Sequence, residues 1–187
     1  MPSGKSKDEE IEILKSLLKR AIASKLDNFV VPEGYKDEVS QEFQFGFCYP
    51  QDWEFSRFPQ VTFYGAARDS KSVERLGFAP NLNVVISDIS SEQCDLNEIY
   101  ENGMQGVLLT IPNAELVFKE ESLFQGLPAM KYRANYVSND GRQLTLYQIA
   151  VADKERNNLY HITFSTTQKD FDSSKVLFEN IASTFRI

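Results

Sequence analysis

The stretch FQFGFCYPQDWEF (residues 43–55) decides the fold. Aromatic side chains occupy every second position at its start: Phe43, Phe45, Phe47 and Tyr49. Such alternation is typical of a strand that buries one face, and Pro50 and Asp52 then favour a turn. We therefore expect these aromatic residues to lie on the inner face of a sheet, with Trp53 covering one end of the core. A ligand-stacking site is the alternative interpretation.

Alternating patterns continue along the chain and predict further strands. These are expected at residues 60–65, 82–89, 115–124, 129–137, 143–152 and 158–166. The GLPA sequence (residues 126–129) and the SNDGR sequence (residues 138–142) are interpreted as tight hairpins, the second because Asp-Gly is a strong turn pair. The closing STFRI sequence is expected to form a short final strand.

Three helices are predicted around these strands. The first covers residues 8–26 and has an apolar stripe, which either packs on the domain or forms an arm for a homodimer or another partner. The second begins at Asp95, which has the spacing of a capping box with Glu98. The third covers residues 169–183.

Hairpin-connected strands with segregated helices indicate the α+β class, an antiparallel sheet flanked by helices. The chain lacks βαβ alternation, which argues against a parallel nucleotide-binding sheet. The predicted organisation is a disordered tip at residues 1–7, a helix and turn-rich connector at residues 8–42, and a compact domain at residues 43–187.

Several of these segments together resemble the PsbP-like fold. They are FGFCYPQDW (residues 45–53), GLPA (residues 126–129), LYHITFS (residues 159–165) and FENIASTF (residues 178–185). The group includes the PsbP extrinsic proteins of photosystem II, the bacterial DcrB-type proteins and the Mog-type Ran-binding proteins. The resemblance covers roughly residues 43–187 and implies an α/β/α sandwich that binds proteins rather than an enzyme. The helix at residues 8–26 lies outside it.

The composition restricts the classes of function. The chain has 187 residues, and 20 Lys and Arg against 27 Asp and Glu give a formal charge of −7. Nonspecific binding to nucleic acid or to an anionic membrane requires clustered basic residues and is therefore disfavoured. No apolar stretch approaches the roughly 18 residues of a membrane span, and the charged N-terminus differs from a signal peptide. We expect a cytoplasmic protein, or a periplasmic or thylakoid-lumen protein if a leader preceded this sequence.

The residues that could carry chemistry predict no catalytic, cofactor or metal site. His161 is the one histidine, which excludes two-histidine metal clusters and leaves one imidazole base. A partly exposed strand position is the simpler interpretation of this residue. Cys48 and Cys94 are expected to be buried thiols, although each could formally pair with the imidazole. The carboxylates at residues 88–98 do not have the spacing of a calcium loop.

The long connection GAARDSKSVERLGFAPN (residues 65–81) is the predicted contact surface. It carries Arg68, Lys71 and Arg75 on an acidic protein, and long connections are often functional. A connection that merely contains one short packed helix is the structural alternative. The predicted partner-binding residues are Trp53, Arg68, Lys71 and Arg75.

We therefore expect a non-catalytic protein-binding or accessory module that docks on another protein through surface loops. One alternative is an adaptor or chaperone that holds an apolar helix of a partner in a groove of the sheet. Another is a hydrolase of unknown substrate that uses His161. No cofactor is expected in the first two cases.

Overall fold

The computed structural model describes residues 28–58, 63–90 and 95–187. It also describes six positions nearer the N-terminus: Lys7, Ile11, Leu14, Ser16, Leu17 and Leu26. The chain divides into two units. One contains residues 1–51 and 179–187, and the other contains residues 52–178.

The first unit contains a two-stranded antiparallel sheet of β1 (Tyr35–Ser40) and β2 (Phe45–Pro50). Phe45 and Phe47 of β2 are fully buried, and the ring of Phe47 stacks on Phe185 with 4.8 Å between centroids. The expectation that the aromatic residues of this stretch form a core is confirmed for these positions.

A buried arginine explains why β2 is covered on its second face as well. Arg186 is 3% exposed, its guanidinium pairs with Asp37 of β1, and it lies over the ring of Phe29. A Cβ at Gly46 would meet Arg186 Nη2, so a larger residue there would require the guanidinium to shift. The predicted final strand is reduced to a single antiparallel bridge between Arg186 and Gly46.

The strand β1 was not predicted from the sequence. Residues 8–42 were expected to hold a helix and a connector, yet β1 lies within this range and pairs with β2 along its full length. Its exposed charged residues conceal the alternation on which a strand assignment depends. Within the predicted helix at residues 8–26, the described positions are helical. Ile11, Leu14 and Leu17 are 48–64% exposed, and the choice between a packed helix and a partner arm stays a prediction.

The second unit is built on a seven-stranded sheet with the order β3-β4-β5-β9-β8-β7-β6, in which all described pairs are antiparallel. Its strands are β3 (Glu54–Arg57), β4 (Phe63–Arg68), β5 (Asn81–Asp88), β6 (Glu115–Phe124), β7 (Leu127–Val137), β8 (Gln143–Asp153) and β9 (Asn158–Thr167). The helices are α1 (Val73–Leu76), α2 (Leu96–Thr110) and α3 (Phe171–Ser183). The expected α+β class is confirmed. No helix in the described part of the chain is long and apolar enough to cross a lipid bilayer.

Helices cover both faces of the central strands of this unit. On one face, Ile99 and Tyr100 of α2 pack against Ala150 of β8. On the other face, Phe178 of α3 stacks on Phe164 of β9 with 4.8 Å between centroids. Because successive residues of a strand point to opposite faces, β8 and β9 contribute to both layers. The result is an α/β/α sandwich.

Local signals position these elements as expected. Asp95 caps α2, because its Oδ1 accepts a hydrogen bond from the amide of Glu98 at 2.9 Å. Gln125 and Gly126 have left-handed φ angles of 53° and 85° and close the β6–β7 hairpin. Gly141, with a φ of 83°, closes the β7–β8 hairpin. The predicted cap and both predicted hairpins are confirmed.

We predict that Phe178→Ala lowers the free energy of unfolding by about 3–5 kcal/mol, because it removes a fully buried ring from the α3 layer. Val176→Ala on the same helix is the matched control, since that side chain is 63% exposed. Its effect should stay within about 0.5 kcal/mol. Urea unfolding of the three proteins measures both values, and similar losses for the two variants would contradict this packing.

Candidate functional site

A cavity of about 520 Å³ lies between α2 and the sheet of the second unit. Its floor is formed by alternate side chains of the neighbouring strands β5 and β9: Asn83, Val85, Ser87, His161, Thr163 and Ser165. Because alternate residues of a strand share a face, these six side chains form one continuous surface beneath the helix. Leu146 and Gln148 extend the floor onto β8.

Three strands place polar side chains in one row across this floor. The register pairs Asn83 with Thr163, and Thr163 with Gln148. Thr163 Oγ1 donates to Gln148 Oε1 at 2.8 Å, and Gln148 Nε2 lies 2.8 Å from His161 Nδ1. The Gln148 side chain is buried, and hydrogen bonds at both ends of its amide satisfy it there.

The orientation of the Gln148 amide in this network is compatible with one neutral tautomer of His161. The Gln148 carbonyl oxygen is turned toward Thr163, so its amide nitrogen donates to Nδ1 and the ring hydrogen is carried by Nε2. Burial lowers the pKa of His161 to about 4. At neutral pH the imidazole is therefore an uncharged hydrogen-bond donor.

Two glycines of α2 line the helix side of the cavity. A Cβ at Gly103 would lie 3.0 Å from His161 Cε1 and 3.8 Å from Nε2, so the helix backbone approaches this edge of the ring closely. A Cβ at Gly106 would meet no atom within 4 Å, so this position faces open space. Glycine in a helix interior costs about 1 kcal/mol relative to alanine, and α2 contains it at both positions.

The remaining lining is of mixed character. Tyr136 hydrogen-bonds to Ser165 at one side of the cavity, and burial raises the pKa of the tyrosine. Apolar surface comes from both the sheet and the helix: Val85, Leu146, Val107 and Ile111. None of the described lining residues carries a carboxylate, an ammonium or a guanidinium group.

The four residues predicted to bind a partner lie outside this lining. Trp53 is 3% exposed, so its indole belongs to the core, in agreement with its predicted role there. Arg75 is exposed on α1. Their role in partner binding stays a prediction.

The positive charge predicted for residues 65–81 is balanced by β3 and the turn before it. Arg68 pairs with Glu54 at 3.3 Å, and Lys71 Nζ lies 4.0 Å from Asp52. Glu54 also accepts a hydrogen bond from Ser70, and these contacts lower the pKa of its carboxyl group. This charge balance was not predicted from the sequence, because β3 was not assigned as a strand. The pairing of β3 with β4 brings the opposite charges together.

The most exposed strand of the second unit is β6, which lies at one edge of the sheet. Leu116, Val117 and Phe118 expose 39%, 42% and 39% of their surface. The strand β6 was predicted from the sequence, but its edge position was not. Alternation of apolar and polar residues indicates strands and carries no information on their order in a sheet.

The described side chains that were considered for catalysis are either hydrogen-bonded or buried. Neither ring nitrogen of His161 is an available base, because Nδ1 accepts from Gln148 and Nε2 carries the hydrogen. Cys48 belongs to the first unit, and burial raises the pKa of its thiol. Cys94 lies outside the described residues. Among the described residues, no three His, Cys, Asp or Glu side chains form a cluster that could hold a metal ion.

The family model of PsbP matches residues 33–187, and the chain therefore belongs to the PsbP family. The resemblance inferred from the sequence is confirmed. The match begins before residue 43, where the compact domain was predicted to start, and includes β1. Comparison with curated protein sequences finds no significant match.

Solved structures share the fold at low sequence identity. Cyanobacterial PsbP (CyanoP) from Synechocystis is 20% identical, with 84% of this chain and 95% of that one covered and a TM-score of 0.61. LpqN of Mycobacterium tuberculosis, described as involved in cell envelope biogenesis, is 13% identical, with coverages of 82% and 84% and a TM-score of 0.61. The Ran-binding protein Mog1p of Saccharomyces cerevisiae is 12% identical, with coverages of 81% and 94% and a TM-score of 0.54. At these identities the likeness shows the fold alone.

We predict that His161 makes the folded state less stable as the pH falls from 7 to 5. The unfolded imidazole takes up a proton below about pH 6.5, whereas the folded one, with a pKa of about 4, stays neutral in this range. The unfolded state thus binds more protons, and the loss should be roughly 2 kcal/mol larger for the parent than for His161→Gln.

Urea unfolding of both proteins at pH 7 and pH 5 measures this difference. The carboxyl groups titrate equally in both proteins, so their contribution cancels. An identical pH dependence of the parent and the variant would contradict the neutral, buried imidazole.

Proposed function

We propose that this chain is a non-catalytic accessory module that binds another protein, and that β6 is its docking surface. The exposure of β6 carries this proposal, because its first seven residues are all exposed and the strand has a sheet neighbour, β7, on one side. An edge strand of this length presents backbone N–H and C=O groups that an added strand can pair with.

The apolar residues of β6 supply the anchor for a partner. Leu116 and Phe118 lie on either side of a register shift at Val117, which turns Leu116 toward the α2 face and Phe118 toward the face that carries Arg133. A partner that adds along this edge can therefore contact apolar side chains on both faces of the sheet.

Two of the four charged residues of β6 are paired within the chain. Lys119 forms an ion pair with Glu101 of α2, and Glu120 lies 3.9 Å from Lys131 of β7. Because these groups already have partners, the triplet of Leu116, Val117 and Phe118 is the better anchor. We infer that the partner contributes an extended segment with apolar residues.

Two further observations support an accessory role over the alternatives. A hydrolase would need a ring nitrogen of His161 with a free lone pair, whereas Nδ1 accepts a hydrogen bond from Gln148 and Nε2 carries the ring hydrogen. An adaptor that holds an apolar helix needs an uncovered apolar face, and in the second unit α2 and α3 cover the two faces of the central strands. Mog1p, which shares this fold, is named as a Ran-binding protein and is therefore an example of the fold that binds another protein.

The test compares two valines of equal exposure. Val117 on β6 is 42% exposed, and Val73 on α1, within the connection predicted to bind a partner, is 44% exposed. We predict that Val117→Arg weakens capture of the partner from source-cell extract by roughly tenfold or more, because a charge enters the apolar anchor. Val73→Arg, with the same change of size and charge, should leave capture unchanged.

A quantitative pull-down with both variants and the parent distinguishes the two surfaces. The loss of capture in Val73→Arg with full capture by Val117→Arg would move the docking surface to residues 65–81 and its Arg68, Lys71 and Arg75. Equal capture by all three proteins would exclude both surfaces.

A further inference from the structure

We propose that the cavity beneath α2 binds an uncharged small organic molecule through a carbonyl or hydroxyl oxygen that accepts a hydrogen bond from His161 Nε2. This site belongs to the second unit alone and is independent of docking through β6. Four features of the molecule support this site. They are the volume of the cavity, the uncharged lining, the direction of the His161 Nε2–H donor and the glycines of α2.

The size of the cavity suits a small molecule. Small-molecule sites in proteins are clefts of roughly 300–1,000 Å³, and this cavity has a volume of about 520 Å³. Defects of ordinary packing are much smaller, because protein interiors contain few voids larger than a water molecule. The space is therefore a feature of the fold and not a local packing fault.

The lining selects an uncharged ligand. Its described polar groups are amides, hydroxyls and one imidazole. A carboxylate or an ammonium group placed here would lose its hydration without meeting an opposite charge, which is strongly unfavourable. A neutral carbonyl, amide or hydroxyl compound avoids this penalty.

His161 gives the ligand its orientation. Its Nδ1 is occupied by Gln148, and Gln148 is held in turn by Thr163, so the ring cannot rotate without breaking this line. The edge with Cε1 and Nε2 lies toward Gly103 and carries the ring hydrogen. Among the described residues no side chain accepts a hydrogen bond from Nε2. A preoriented donor of this kind needs no rearrangement to bind an acceptor oxygen.

The rest of the lining is suited to the body of such a molecule. Val85 of the floor and Val107 of the helix provide apolar walls, while Ser87 and Asn102 add hydrogen-bonding groups nearer the surface. A pocket with mainly apolar walls and a few placed polar groups is typical of small-molecule sites.

Gly106 keeps the space available. Alanine or leucine at this position would have a higher helix propensity than glycine, and a Cβ there would touch nothing within 4 Å. Gly106 is itself one of the lining residues, so Gly106→Leu adds a branched side chain at the wall of the cavity and should reduce its space. Gly106→Ala is the matched control, because it also improves helix propensity but adds only one carbon.

Three probes with one ring and different charge test the site: benzamide, benzoate and benzylamine. The readout is the Cε1 proton of His161 in the NMR spectrum, which is unambiguous because the chain contains one histidine. We expect benzamide to shift this signal in a saturable manner. Benzoate and benzylammonium should bind at least about tenfold more weakly.

The variants then locate the binding. Gly106→Leu should weaken the binding of benzamide by about tenfold or more, and Gly106→Ala should change the affinity by less than about threefold. Unfolding curves of both variants verify that they are folded. The proposal is overturned if benzamide gives no saturable shift, if the charged probes bind equally well, or if Gly106→Leu binds benzamide as the parent does.

Discussion

The central strands of the seven-stranded sheet must be covered on both faces, and the rest of the second unit follows from this constraint. β8 is buried at all but its first residue, and it alternates between side chains that meet α2 and side chains that meet α3. A strand of this kind can be stable only between two helical layers. The chain provides those layers through the helix that follows β5 and the helix that follows β9.

The two candidate sites are the places that this covering leaves accessible. β6 lies at the edge of the sheet, where it exposes Leu116, Val117 and Phe118. Beneath α2 the cover is incomplete, because Gly106 carries no side chain and a Cβ there would meet no atom within 4 Å. One region thus offers backbone and apolar side chains to a partner, and the other offers an uncharged polar floor to a small molecule.

Part of this account could be predicted from the sequence. Alternation identified most of the sheet, the Asp-Gly and Gly-x-Pro-Ala turns identified the hairpins, and Asp95 identified the start of α2. β1 and β3 escaped because short polar strands show no alternation, and their pairing depends on distant residues. The edge position of β6 and the pairing of Arg68 with Glu54 depend on strand order, which periodicity does not report.

The cavity left a weak signal in the sequence that was not used. Gly103 and Gly106 lie between Tyr100 and Val107 of α2, and glycine in a helix interior permits close approach or leaves space. Polar residues also recur at every second position of β5 and β9, and a face expected to be buried should be apolar. Only the three-dimensional register shows that these polar positions form one row across neighbouring strands.

Both proposals depend most directly on the protonation state and the tautomer of the His161 imidazole. A neutral ring with its hydrogen on Nε2 argues against catalysis and favours an uncharged ligand. A long-range proton–nitrogen NMR correlation of the imidazole at pH 7 measures this state. We predict one neutral tautomer, with the hydrogen on Nε2 and with Nδ1 unprotonated. A charged ring, or a hydrogen on Nδ1, would contradict the hydrogen-bond line from Thr163 through Gln148 and with it the proposed site.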